Sequence, residues 1–222
     1  REKGILSKKI DEVLQNFSDR FYLENPEKIQ FEVLVRNGSF EDSIKRHTEH
    51  VDDNLVIMGT KGAYGWEEVF GGSNTSQIMK SLNANILAVP IEGIYEGIHH
   101  MVYASNFDKF DLAKLNEVTA FNSFFEARIT CLHVTDDASK AEADQGKILE
   151  METKFQSMGQ GVQFAQVLDN QVEEAIFNYA TETNADILVV SPQKHGIIGS
   201  IFHESMTKKM TMHTYMPLLI VK

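Results

Sequence analysis

The residues best suited to chemistry lie in a glycine-rich stretch that follows a short apolar run at residues 55–58. Gly59-Thr60-Lys61-Gly62 comes directly after the run, and Gly72-Ser73-Asn74-Thr75 begins after nine intervening residues. Glycines at the carboxyl end of a strand permit positive φ and let backbone N–H groups approach an anion closely. A helical pattern starts at Ser73, so the free N–H groups and the positive dipole end of that helix face the same anion. The spacing G-x2-G-x9-G-S therefore predicts a phosphate-binding site.

Side chains of the same stretch add to this site. Ser73 and Thr75 offer hydroxyl donors, and Lys61 offers a mobile positive charge. Open α/β sheets bind ligands beyond the carboxyl ends of their strands, which is where the stretch lies. Glycine spacing alone is a weak signal, because a glycine-rich surface loop produces it too; the strand before and the helix after favour the functional interpretation.

The composition is that of a globular protein with few cysteines. The chain has 222 residues, of which 42% are hydrophobic and 24% charged, and its formal net charge is −11. A single cysteine excludes a disulfide framework and fits a reducing compartment. The acidic balance argues against a nucleic-acid partner, and no apolar run approaches the roughly 18 to 20 residues of a membrane span. We therefore expect a cytoplasmic protein with neither a nucleic-acid nor a membrane partner.

The hydrophobic pattern predicts an α/β fold in which helices and strands alternate. In the first part of the chain it predicts helices at residues 6–21 and 39–50 and strands at 31–35, 55–58 and 86–89. After a linker at residues 91–97 it predicts strands at 101–104, 129–134, 162–168, 187–190 and 218–221, separated by helices at 109–124, 139–158, 171–183 and 205–215. Short apolar runs between helices are typical of parallel strands that are buried on both faces.

The two halves of the chain resemble each other at an offset of 132 residues. Residues 54–58 match residues 186–190, and residues 86–89 match residues 218–221, without a gap. This predicts a tandem repeat of one α/β unit, with domains at residues 1–92 and 97–222. The second repeat has five strands, whereas the first begins at the second helix of that series. We therefore expect a β-α-β unit of about 40 to 60 residues ahead of Arg1 in the native protein.

Residues 52–90 resemble the closing segment of a universal stress protein domain, and the second half resembles a full domain of that family. The family's ATP-binding signature, G-x2-G-x9-G-[S/T], is carried here by Gly59, Gly62, Gly72 and Ser73. The resemblance implies doubly wound parallel sheets of strand order 3-2-1-4-5 and a stress-response or regulatory module that binds ATP, with or without Mg²⁺. It further implies that Met58 contacts the base or ribose and that the phosphates are held by Gly59, Gly62, Gly72, Ser73 and Asn74.

The second half departs from the family's pattern at the positions that would contact the nucleotide. Asn106 stands where the family places an acidic residue after the first strand. Ser191, Lys194 and Glu204 stand at the positions of the three signature glycines, and a glutamate opposes a phosphate directly by charge. We therefore expect only the first half to bind ATP.

The last strands of the two halves are candidates for an interface within the chain. The runs at residues 86–89 and 218–221 are both apolar, and as edge strands they would expose unpaired backbone groups. We expect them to pair and to form an intra-chain pseudo-dimer, an arrangement that the family's dimers also imply. A further homodimer is left open.

The sequence contains no recognisable catalytic apparatus. No local motif indicates a Ser-His-Asp arrangement or a nucleophile elbow, so an ATP site here indicates binding or very slow hydrolysis. Cys131 and His133 lie two residues apart on one strand face, but core packing is favoured over a zinc site. Two alternatives stay open: a slow ATPase that phosphorylates itself on Ser73 or Thr75, and a structural adaptor that binds no nucleotide.

Overall fold

The computed structural model describes residues 39–49, 55–60, 82, 84–90, 95–107, 109–159, 161–191 and 216–222. All of them belong to one compact unit that spans residues 39–222. The helices predicted at residues 6–21 and 205–215 and the strand predicted at 31–35 lie outside the described residues.

Helices and strands alternate as the hydrophobic pattern predicts. In chain order they are α1 (Phe40–Thr48), β1 (Leu55–Thr60), β2 (Asn85–Pro90), β3 (His100–Ala104), α2 (Lys109–Asn122), β4 (Arg128–Thr135), α3 (Ala138–Ser157), β5 (Val162–Leu168), α4 (Val172–Glu182), β6 (Ile187–Val190) and β7 (Leu218–Ile220). Every end lies within two residues of its predicted position. In this part of the chain, no helix is both long enough and apolar enough to cross a bilayer.

Local side-chain chemistry sets the starts of two helices. Ser39 caps α1 from an extended conformation, and its Oγ accepts the Asp42 N–H at 3.4 Å. Asp137 caps α3 in the same way and accepts N–H groups of the first turn through Oδ1. Such caps satisfy backbone donors that have no partner inside the helix.

The strands form one sheet in the order β1-β2-β7-β6-β3-β4-β5. Neighbours are parallel except for β2 and β7, which are antiparallel. Within the second half, the order β5-β4-β3-β6-β7 is the predicted 3-2-1-4-5 order of a doubly wound sheet. The predicted α/β class, with helices packed on a mostly parallel sheet, is therefore confirmed, whereas the tandem repeat stays a prediction.

Apolar side chains cover both faces of the sheet, with α4 over one face and α2 and α3 over the other. The α4 face is centred on strand residues such as Ile86, Leu132, Leu188 and Leu218. The opposite face is centred on residues such as Met101, Ile129, Val189 and Leu219.

Strand β1 departs from this two-faced burial. Val56 and Met58 pack on the α4 side, but Leu55 is 37% exposed and Ile57 is 65% exposed on the other side. The prediction that this run is buried on both faces is therefore wrong, because no described element covers the second face.

Strand register repeats at the offset that the sequence predicts. Val56 pairs with Ile86 in β1–β2, and Leu188 pairs with Leu218 in β6–β7, each residue 132 positions after its counterpart. Helix α1 begins at Phe40, and α4 begins at the matching position. The predicted pairing of residues 86–89 with residues 218–221 is present as the β2–β7 ladder.

Candidate functional site

The predicted nucleotide site begins where β1 ends. Met58 is 8% exposed and packs in the core, whereas Gly59, the next residue, is exposed. No atom of the described residues lies within 4 Å of the point where a Cβ on Gly59 would stand. The backbone of Gly59 is thus open to close approach by a ligand at the carboxyl end of the strand.

Most of the predicted site lies outside the described residues. These residues are Lys61, Gly62, Gly72, Ser73, Asn74 and Thr75. The structure therefore describes Met58 and Gly59 at the carboxyl end of β1. The contribution of the other signature residues to a nucleotide site stays a prediction.

The corresponding strand end of the second half carries a buried side chain. Ser191, at the position that matches Gly59, is 7% exposed. The Ser191 side chain acts to lower the pKa of the Tyr103 hydroxyl. Within the described part of the chain, however, Ser191 Oγ makes no hydrogen bond of ordinary geometry. A buried side chain thus stands in the second half where the first half has an open glycine.

The loop after β3 is tied down on both sides at this same edge. The Ser105 N–H donates to the Leu132 carbonyl at 2.8 Å, and His133 Nδ1 lies 2.9 Å from the Ser105 carbonyl oxygen. The Phe107 N–H donates to Ser105 Oγ at 3.0 Å, and Phe107 takes a φ of 57°. This left-handed backbone at a bulky residue is strained and persists because the surrounding contacts hold it.

Asp111, in the first turn of α2, is the polar centre of the loop after β3. It is 3% exposed, and its Oδ2 accepts the Asn106 N–H at 2.6 Å and the Ser105 hydroxyl at 3.3 Å. The Tyr103 hydroxyl lies 3.2 Å from the Asp111 carbonyl oxygen and 3.4 Å from Oδ1. The loop that carries Asn106, at the predicted acidic position, is therefore anchored by a carboxylate from its own helix.

Sequence reasoning missed Asp111, although the sequence carries a signal for it. An acidic residue in the first turn of a helix reaches back to accept N–H groups of the preceding loop, as in a capping box. Asp111 is the acidic residue of the first turn of α2. What the sequence does not reveal is that this carboxylate is buried against Tyr103 and Ser105.

Burial controls the chemistry of the two other titratable groups in this cluster. It raises the pKa of the Tyr103 hydroxyl far above its ordinary value, and the negative charge of Asp111 acts in the same direction. Burial likewise raises the pKa of the Cys131 thiol, against an opposing hydrogen bond from Ser105. Both groups stay neutral at physiological pH, so neither is an activated nucleophile.

His133 and Asp144 form a second polar pair near the end of β4. His133 Nε2 lies 3.8 Å from Asp144 Oδ2, and Lys147 Nζ contacts Asp144 Oδ1 at 2.5 Å. The Phe107 ring packs on the imidazole at a centroid distance of 5.0 Å. Cys131 and His133 are both buried, as core packing requires. Across the described ranges, no three His, Cys, Asp or Glu side chains are grouped so as to hold a metal ion.

Comparison with known proteins identifies a family for the first half. Residues 4–90, which include every predicted nucleotide contact, match the model of the universal stress protein family. A search of curated proteins found no match.

Solved structures resemble the chain over nearly its whole length. A universal stress protein from Archaeoglobus fulgidus DSM 4304 superposes with a TM-score of 0.72 at 17% identity, over 99% of this chain and 78% of that one. A protein from Pseudomonas aeruginosa UCBPP-PA14 assigned to the universal stress proteins gives 0.61 at 11% identity, over 96% and 78%. A protein of unknown function from Pseudomonas aeruginosa PAO1 gives 0.61 at 12%, over 97% and 77%. At these identities the likeness establishes a shared fold.

Proposed function

This chain belongs to the universal stress protein family, and from that premise we propose that it is a stress-response regulatory module whose first half binds ATP. The observation that carries the proposal is the open backbone of Gly59 at the carboxyl end of β1. Gly59 is the first member of the signature G-x2-G-x9-G-S, and the signature lies inside the residues that match the family model.

The proposed site holds the phosphates mainly through backbone N–H groups. Gly59, Gly62 and Gly72 would let the backbone approach the anion, and the helix that the sequence predicts from Ser73 would direct its first N–H groups toward it. Asn74 and Thr75 add polar side chains, and Lys61 adds a positive charge. This donor set suits a triphosphate, because each donor is neutral or positive.

The second half contributes architecture to the proposed module. Its strand end carries buried Ser191 in place of the open glycine, and Asp111 anchors the neighbouring loop. The matching registers of β1–β2 and β6–β7 support a tandem repeat, and the antiparallel β2–β7 ladder supports an intra-chain pseudo-dimer. In this arrangement the nucleotide binds at the strand ends of the first half and not at the related strand ends of the second half.

Titration of ATP into the full chain by calorimetry, with a Gly72→Glu variant, tests the proposal. The substitution copies the second half and sets a carboxylate against the phosphates, so saturable binding should disappear. Gly146→Glu is the matched control, since it adds the same side chain at an exposed position of α3, where nothing described lies within 4 Å of the added Cβ. Equal ATP affinity in wild type and Gly72→Glu would refute the site.

Two further measurements separate the alternative functions. A chain that carries no nucleotide when purified and shows no heat on titration with ATP would be a structural adaptor. Repeated release of inorganic phosphate, or phosphate found on Ser73 or Thr75 by mass spectrometry, would indicate an ATPase or a self-phosphorylating enzyme. The proposal predicts that the chain binds ATP, releases no inorganic phosphate repeatedly, and carries no phosphate on Ser73 or Thr75.

A further inference from the structure

His100, at the start of β3, lies between a donor and an acceptor that compete for one of its ring nitrogens. Its Nδ1 is 3.0 Å from the terminal nitrogen of Arg128 and 3.2 Å from the carbonyl oxygen of Thr183. Both distances are short enough for a hydrogen bond, but a guanidinium can only donate and a carbonyl oxygen can only accept. Nδ1 therefore satisfies Arg128 when it carries a lone pair and Thr183 when it carries a proton, and never both.

The other ring nitrogen is satisfied in either state. His100 Nε2 lies 2.9 Å from the Thr130 hydroxyl, and a hydroxyl both donates and accepts. His100 is 4% exposed, so a partner lost at Nδ1 is not readily replaced by water. The proton at Nδ1 thus decides whether the ring binds Arg128 or Thr183.

We propose that His100 is a proton-operated switch that binds the Arg128 guanidinium when the ring is neutral and releases it when the ring is protonated. In the neutral ring Nδ1 accepts from Arg128, because a hydrogen bond from a charged donor is stronger than one between neutral groups. Uptake of a proton from solvent at Nδ1 makes that nitrogen a donor to the Thr183 carbonyl and sets two positive charges against each other. The side chain of Arg128, an exposed residue, then moves into solvent.

Charges around the imidazole set the direction of the switch. Within the described part of the chain, Arg128 from β4 disfavours the imidazolium, whereas Asp186, directly before β6, favours it. Asp186 is already engaged, because its Oδ2 accepts the N–H groups of His99 and His100 at 2.7 and 2.8 Å. Burial is the largest influence and lowers the pKa of His100, with Arg128 acting in the same direction. The switch therefore operates below about pH 6.5.

The backbone around the switch takes no part in the exchange. The Arg128 N–H donates to the His99 carbonyl at 2.9 Å, and the Asp186 N–H donates to the His100 carbonyl at 2.8 Å. These bonds lie at the amino ends of the ladders in which β3 pairs with β4 and β6. Proton uptake thus changes a surface side chain on a fixed frame, at the end of the sheet opposite to the proposed nucleotide site. Acid is converted there into added positive charge on a chain whose net charge is −11.

Nitrogen-15 NMR of the full wild-type chain tests the exchange of partners. At pH 7.5, His100 Nδ1 should have the chemical shift of an unprotonated ring nitrogen, and Arg128 Nε should relax as part of a rigid group. As the pH falls, Arg128 Nε should become mobile with the same midpoint as the titration of His100. Arg46 Nε on α1, which lies 3.2 Å from the Asp42 carbonyl oxygen, is the control and should not follow that midpoint.

Three substitutions separate the switch from a general effect of pH. Arg128→Gln removes a charge that opposes the imidazolium, so the midpoint of His100 should rise by about 0.5 pH unit or more. Arg46→Gln is the matched control, because Arg46 is not among the charges that act on His100, and it should leave the midpoint unchanged. His100→Gln offers Arg128 an acceptor at every pH, so Arg128 Nε should stay rigid down to pH 5.

Three results would overturn the proposal. Nδ1 of the neutral ring could carry the proton, which would assign it to Thr183 throughout. Arg128 Nε could keep the same mobility across the titration of His100. Finally, Arg128→Gln could leave the midpoint of His100 unchanged. The first two results come from the wild-type chain, so a variant that folds poorly does not leave the proposal untested, and no ATP is present in any of these measurements.

Discussion

Leu87 of β2 and Leu219 of β7 face each other across the antiparallel ladder, and they occupy matching positions, 132 residues apart, in the two halves of the chain. The flanking pairs are Ile86 with Ile220 and Ala88 with Leu218. Ile86 thus pairs with the residue that matches Ala88, and Ala88 pairs with the residue that matches Ile86. The pair of leucines therefore marks the centre of a local two-fold arrangement. Offset and register come from different observations, one from sequence and one from backbone pairing, and they agree at this residue pair.

Removing these leucines should measure the coupling between the two halves. Leu219 is 1% exposed, so Leu219→Ala should lower the free energy of unfolding by about 2 to 4 kcal/mol. Leu87 is partly buried, so Leu87→Ala should cost less. Because the two residues are paired neighbours, the double variant should deviate from additivity by about 0.5 kcal/mol or more in urea unfolding.

The control for this cycle combines Leu87→Ala with Leu132→Ala. Leu132 belongs to the core on the opposite face of the sheet, so these two effects should add. Additive losses for Leu87 and Leu219 as well would show that the β2–β7 ladder does not couple the halves.

The sequence predicts the fold well because its signals are local and repeated. Apolar runs mark the strands, and Ser39 marks the start of α1 through its hydroxyl. The β2–β7 pairing is predicted because both runs are apolar and, as edge strands, would otherwise expose unpaired backbone groups. The exposure of Ile57 could not be read from its run, since an apolar run does not specify which elements cover it.

The candidate site is predicted less completely, and for a physical reason. Gly59 is recognisable because glycine spacing reflects what the backbone must do. Asp111 is not, because its importance depends on contacts with Tyr103 and Ser105, which the fold brings together only at the carboxyl end of β3. Spacing along the chain carries no information on such burial.

Substitutions at Asp111 should show how strongly the loop after β3 is anchored. Asp111→Ala removes the acceptor of the buried Ser105 hydroxyl and of the part-buried Asn106 N–H. Leaving them unpaired should lower the free energy of unfolding by about 2 to 4 kcal/mol. Asp111→Asn keeps the shape and one acceptor oxygen and should cost less. A loss below about 0.5 kcal/mol for Asp111→Ala, which is the range of ordinary surface changes, would contradict this role.

Cys131 should report unfolding and nothing else. Its thiol is 0% exposed and burial raises its pKa, so the folded protein should not react with a thiol reagent at neutral pH. Labelling in increasing urea should follow the unfolding transition seen by circular dichroism. Fast labelling of the wild-type protein in the absence of urea would show that β4 opens locally and would contradict the buried position.

His100 at the start of β3 should make stability depend on pH. The imidazole is buried, and Nε2 lies 2.9 Å from the Thr130 hydroxyl. Nδ1 lies 3.0 Å from the terminal nitrogen of Arg128, a donor, and 3.2 Å from the carbonyl oxygen of Thr183, an acceptor. Burial lowers the pKa of His100, and Arg128 acts in the same direction against the carbonyl of Thr183 and the charge of Asp186.

The sign of the pH effect follows from that lowered pKa. Between the pKa of the folded state and about 6.5, the unfolded chain binds more protons at His100 than the folded protein does. The contribution of His100 to the free energy of unfolding is therefore present in full above about pH 6.5 and declines as the pH falls through this window. His100→Gln, which keeps a donor and an acceptor, should remove that part of the slope, whereas Thr130→Ser should retain it. Urea unfolding at intervals between pH 5 and 7.5 checks this, and parallel profiles for wild type and His100→Gln would show that His100 makes no such contribution.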